Sequence, residues 1–272
     1  MLGFSLNQVT MSEAPLNALL ETAVHLGCVG VELRNDLGRP VFDGMKPDQA
    51  GTLVRDHGIR LLGLSQVYPF NRWSDEIENE VKALIEIACD AGAETISLIP
   101  CNDGSRTDKA SRSADLMRAL DGCLPLLEEA GLVALIEPVG FERSSLRLKS
   151  ELAAAIVSLD AQNRVKIVHD TFHHTLAGEG AIYPELTGIV HASGIIAPAI
   201  PIEQMKDDHR VLVNVHDRLG NLDQIDALAN AGYTGLISFE CFAREVRNLA
   251  DPLSAISQSI DFISTRAQQK VA

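Results

Sequence analysis

A parallel (β/α)8 barrel, a TIM barrel filling residues 1–272 as one domain, is the fold class this α/β chain predicts. Two patterns predict it. Short apolar runs without strict alternation recur along the chain, as strands do when helices cover both faces of a parallel sheet. Several runs follow a helical stretch that ends at glycine, which readily takes the left-handed conformation that closes a helix. Thus Ala23-Val24-His25-Leu26-Gly27 leads into an apolar run at 28–33, Ala91-Gly92 into 95–99, Ala130-Gly131 into 132–136 and Ala231-Gly232 into 235–239. Eight units give a repeat of about 34 residues, the size of one βα unit of such a barrel.

In chain order, strands are expected near 3–9, 28–34, 60–66, 95–101, 132–139, 165–171, 189–195 and 235–242. Helices are expected near 14–26, 47–57, 75–91, 109–130, 149–160, 222–231 and 252–267, with Pro47 and Pro252 in first turns, where proline is tolerated. Residues 178–187 hold one short apolar stretch, so the link between the sixth and seventh strands is expected to be brief. The competing fold, a doubly wound open sheet, usually carries a glycine-rich phosphate turn after its first strand. The segment Ser5-Leu6-Asn7-Gln8-Val9-Thr10 has none.

Composition narrows the function classes. A net charge of −14 repels phosphate backbones and anionic bilayers, which leaves a small molecule as the expected partner rather than nucleic acid or membrane. Five cysteines without a C-x-x-C pair indicate a reducing compartment. The first residues lack the basic and long apolar segments of a secretion signal, so a cytoplasmic location is expected.

Barrel enzymes place their chemistry at the carboxyl ends of the strands. The ionisable residues that end apolar runs are Glu32 and Arg34, Glu137, His169 and Asp170, His191, and Glu240, with His173 one short turn beyond the sixth run. A carboxylate buried in a run such as Leu135-Ile136-Glu137-Pro138-Val139 needs a cation or a full set of hydrogen bonds. Glu137, Asp170, His191 and Glu240 come from four consecutive strands, which invites one shared cation. Three carboxylates and an imidazole make a mostly hard donor set, suited to Mn²⁺ or Mg²⁺ and open to Co²⁺ or Zn²⁺.

These residues carry a likeness. The segments Ser5-Leu6-Asn7, Val31-Glu32-Leu33-Arg34-Asn35-Asp36-Leu37, Ile136-Glu137-Pro138-Val139-Gly140, His169-Asp170-Thr171-Phe172-His173, Val190-His191 and Ser238-Phe239-Glu240-Cys241-Phe242 resemble the xylose-isomerase-like TIM-barrel superfamily of sugar isomerases and epimerases. Within it, the chain is similar to inosose (2-keto-myo-inositol) isomerases. The resemblance implies one divalent metal, Mn²⁺ first, held by Glu137, Asp170, His191 and Glu240, with Glu137 and Glu240 also transferring protons. It implies substrate contact by His173 and Arg210, and association into a homo-oligomer. The chain departs from the pattern at Ala192-Ser193-Gly194 and at Val211-Leu212-Val213-Asn214, both beside the expected substrate loop.

The expected activity is an intramolecular oxidoreductase that moves a carbonyl along a polyol ketone. An inosose dehydratase, a ketose 3-epimerase or a hydroxypyruvate-isomerase-like enzyme would use the same site. Abasic-site endonucleases share the superfamily but need a basic face, against which the charge argues. Glu32 and Arg34 are expected at the rim, as substrate contacts or as a simple ion pair. Phe70 and Trp73 are expected to wall the substrate, and Arg143, Arg147 and Lys149 to form a solvated turn.

Overall fold

The computed structural model describes residues 3–106 and 108–269. Eight strands close into a parallel barrel in chain order, with the eighth pairing back onto the first. They are β1 Gly3–Asn7, β2 Gly30–Arg34, β3 Arg60–Val67, β4 Thr95–Leu98, β5 Val133–Ile136, β6 Val165–Asp170, β7 Thr187–Ala192 and β8 Leu236–Phe239. Around them lie α1 Leu16–His25, α2 Pro47–Asp56, α3 Asp75–Ala91, α4 Lys109–Ala130, α5 Lys149–Ser158, α6 Thr171–Ala177, α7 Asn221–Asn230, the short α8 Arg244–Arg247, and α9 Pro252–Gln269. No helix among the described residues is long and apolar enough to cross a membrane.

Local chemistry sets the boundaries. Ser74 and Asp108 cap α3 and α4 by accepting backbone N–H bonds from Ile77 and Ser111. Gly92 and Gly131, at φ of 71° and 69°, close the same two helices. Close packing sets others: a Cβ on Gly51 of α2 would lie 2.0 Å from the Ala91 carbonyl oxygen at the end of α3. One apolar core joins the strands' outer faces to the helices, with Leu6, Leu19, Val31, Ile96, Leu120, Ile156 and Phe239 fully enclosed.

Two expectations change. Several strands end earlier than the apolar runs do, so Glu137 and Glu240 stand just beyond β5 and β8 instead of within them. The link after β6, expected to be brief, carries a short helix outside the expected set: α6 starts directly at Thr171, and 178–186 follow without helix. Its signal was the cap, since the Asp170 carboxylate accepts the backbone N–H of His173 at 2.8 Å.

Candidate metal centre and substrate cavity

β6 and β7 are in register at Asp170 and His191, and β7 and β8 at His191 and Ser238, two residues before Glu240. Glu137 follows β5, the next strand round. Ligand atoms of Glu137, Asp170, His191 and Glu240 therefore converge within 4.8 Å of one another, all from buried residues. All four predicted ligands are brought together.

The charge around them is unbalanced. Glu32, Glu137, Asp170 and Glu240 are buried carboxylates, whereas Arg34 and Arg210 are the guanidiniums buried among them. Arg210 donates to Asp170, to Glu240 at 2.9 Å, to Ser193 Oγ at 2.9 Å and to the half-exposed Asp207 at 3.2 Å. Arg34 donates to Glu240 at 2.8 Å and bidentately to Asp36 at the rim. With all four carboxylates ionised and His191 neutral, two guanidiniums leave two negative charges, which either two protons or one divalent ion would match. Glu137 Oε1 and His191 Nδ1 are buried and find no hydrogen-bond partner among the described residues. Atoms left bare beside carboxylates are what a metal site requires, so the donor set fits a divalent cation.

The same imbalance moves protons. Burial, with Glu240 and Asp170 nearby, raises the Glu137 carboxyl well above its ordinary range. Burial also opposes charge on Glu240, but His191 and Arg210 outweigh it and hold that carboxyl well below the usual value. Burial would lower the His191 pKa, yet Glu240 and Glu32 outweigh it and raise the imidazole well above its usual value.

Above the cluster lies a cavity of about 430 Å³, lined by Glu137, Glu240, His173, Arg34 and Arg210. His173 Nε2 stands 3.8 Å from Glu137 Oε1 and its ring packs edge-on to Phe141. His173, Arg210 and Arg34 thus all line the cavity beside the cluster. A larger groove of about 800 Å³ runs alongside, between 140–147 and 202–208, and shares Phe141, Arg143 and Asp207 with this cavity. It contains none of the clustered ligands, so the smaller cavity is the candidate site.

Three expectations are corrected. Glu32 does not reach the cavity and does not pair with Arg34. Residues two apart on a strand face the same way, and Glu32 sits one layer, roughly 7 Å, deeper in the barrel. There it meets His191 Nε2 at 3.1 Å. Trp73 also does not line the cavity: its ring lies against Gly122 of α4, where a Cβ would fall 2.2 Å from the ring, and Phe70 is wholly in the core. Burial of apolar ring area against a glycine slot outweighs exposure at the mouth. Lys149 is not solvated but 4% exposed, with its Nζ between the Nδ1 atoms of His169 and His174. Arg147 bonds the Gly140 and Leu176 carbonyls, and Arg143 reaches the cavity wall.

Sequence reasoning missed Gln66, Tyr68, Asn102, Phe141 and Asp207 as lining residues. The available signal was position alone, since the first four lie at or just beyond the ends of β3, β4 and β5, where barrel sites are built.

The model of the xylose isomerase-like TIM barrel family matches residues 20–266. A solved xylose isomerase domain containing protein from Salmonella typhimurium is 27% identical, with a TM-score of 0.88 over 98% of this chain and 97% of that one. The IolI protein, solved with a zinc atom, is 19% identical, with a TM-score of 0.82 over 97% and 99%. A D-allulose 3-epimerase from Methylomonas sp. is 15% identical, with a TM-score of 0.71 over 97% and 98%. The likeness to these last two is one of fold. No curated protein sequence matches the chain. With the matched segment covering β2 to α9 and the closed parallel barrel in place, the chain belongs to the xylose isomerase-like TIM barrel family.

Proposed function

We propose that the protein is a metal-dependent isomerase of a polyhydroxylated ketone, with 2-keto-myo-inositol as the first substrate to try. The observation that carries this is the convergence of Glu137, Asp170, His191 and Glu240 at the floor of a cavity sized for one sugar or cyclitol ring. A divalent ion held by these four, with Mn²⁺ the first choice, would act as a Lewis acid toward a carbonyl and an adjacent hydroxyl. The ketose 3-epimerases among the solved relatives support a reaction of this class, and the zinc atom of the IolI protein supports a divalent ion.

The chain's own residues supply the proton chemistry. Glu137 and Glu240 follow strands that stand three apart around the ring of eight, so their carboxylates approach a bound ring from different sides. One takes the proton from the hydroxyl-bearing carbon beside the carbonyl, and an enediolate results. Return of a proton to the former carbonyl carbon moves the carbonyl by one position. Return to the original carbon from the other face would be epimerisation. His173 and Arg210 orient the substrate oxygens, and Arg34 holds Glu240 ionised. Loss of a β-hydroxyl from the same enediolate would make the enzyme a dehydratase.

The test is proton NMR of 2-keto-myo-inositol incubated in D₂O with the metal-loaded protein, then stripped of metal. A keto-inositol isomer carrying deuterium supports the proposal, and an unsaturated product converts it to a lyase. No turnover of any inosose or free ketose, with metal bound, refutes it. Glu240→Gln is expected to lower turnover by about 10²–10⁴-fold.

A further inference from the structure

We propose that Glu32 is a positioning residue that selects Nδ1 of His191 as its metal-ligating atom. The proposal rests on the cluster taking a divalent ion, not on the identity of the substrate. Glu32 is 1% exposed and lies on β2, far from β7 in sequence, yet its Oε2 is 3.1 Å from His191 Nε2 across the barrel interior. Its other oxygen, Oε1, accepts the hydroxyl of Ser238 on β8. Both carboxylate oxygens are therefore engaged, and the group cannot swing toward the cavity without losing two buried hydrogen bonds.

A neutral imidazole has one nitrogen that carries hydrogen and one that carries a lone pair. A carboxylate at Nε2 accepts only from N–H, so Glu32 keeps the hydrogen there and leaves the lone pair on Nδ1. Nδ1 is the nitrogen that faces the cluster, 3.3 Å from Glu240 Oε2, and it has no hydrogen-bond partner among the described residues. Ring orientation is thus settled from behind before any ion arrives, and the neutral, ion-bound ring keeps its hydrogen on Nε2. A buried Glu32 that served only to balance charge would need neither this direction nor the Ser238 bond.

The experiment uses Zn²⁺, which is diamagnetic, and two readouts independent of turnover. Competition against a chromophoric chelator measures Zn²⁺ affinity of the wild type, Glu32→Gln and Glu32→Ala. Glu32→Ala should lose about 10–100-fold. Glu32→Gln, whose amide oxygen can accept the same bond, should retain more of the affinity than Glu32→Ala. Histidine-selective ¹⁵N NMR of the Zn²⁺-loaded wild type, with His191→Gln identifying the resonances, should show His191 protonated at Nε2 and bound through Nδ1. The NMR result stands even if both Glu32 variants fail to fold. Binding through Nε2, equal affinities for the wild type and Glu32→Ala, or a Glu32→Gln variant as weak as Glu32→Ala would each overturn the assignment. Zn²⁺ bound as inferred without turnover of any ketone would leave it intact and remove the isomerase reading. A wild type that takes up no Zn²⁺ at this cluster removes both.

Discussion

Replacement of Arg210 by methionine separates the two ways this protein can neutralise its buried carboxylates. Arg210 is 1% exposed, touches Asp170 and Glu240 with one nitrogen, and lies 5.1 and 4.8 Å over the rings of Phe172 and Phe242. Methionine keeps much of the apolar contact and removes the charge. Deleting one partner of a buried ion pair costs about 3–5 kcal/mol. At roughly 2–4 °C per kcal/mol for a chain of this size, Arg210→Met should melt about 6–20 °C below the wild type in EDTA. A divalent ion shares the same two carboxylates, so its binding should be stronger without the guanidinium. A tenfold gain in affinity corresponds to about 1.4 kcal/mol of extra metal-dependent stabilisation. The assay is thermal unfolding of both proteins by circular dichroism, in chelator and in saturating Zn²⁺. The reasoning fails if the variant melts within 2 °C or so of the wild type in EDTA, or if metal raises its midpoint by no more than it raises that of the wild type.

Three further predictions follow from the same structure. Glu137 and His191 hold their protons above the usual pH range, so metal uptake near neutral pH should release protons, read with a pH dye in weak buffer; uptake without release would contradict the site. Burial pulls Lys149 down from 10.5 to about 7. The unfolded chain therefore binds this proton between about pH 7 and 10.5 while the native state does not, and stability should rise with pH through that window. Urea midpoints of the wild type should rise relative to Lys149→Met over pH 7–9.5, and parallel profiles would refute the reading. Trp73→Ala should cost roughly 3 kcal/mol by emptying the slot at Gly122 while KM stays within about twofold of the wild type; a large KM change in a folded variant would return Trp73 to the substrate wall.

Much of the barrel was legible because its signals are local. Short apolar runs mark buried strands, and Gly27, Gly92, Gly131 and Gly232 mark helix ends through their own backbone freedom, each at positive φ. The four clustered residues were legible too, since a carboxylate beside an apolar run is costly enough to demand an explanation. Tertiary packing decided the rest. Glu32 and Arg34 look alike on β2, and only closure of the barrel puts one behind His191 and the other at the mouth. Trp73 turns away from the cavity because α4 offers a glycine some 50 residues later in the chain. Lys149 reads as part of a charged turn until it opens α5 against His169 of β6 and His174 of α6. By itself the sequence determined which residues could not rest unpartnered in an apolar interior. The tertiary structure alone decided which groups partner them, because partners come from strands and helices far apart in the chain and brought together only when the sheet closes.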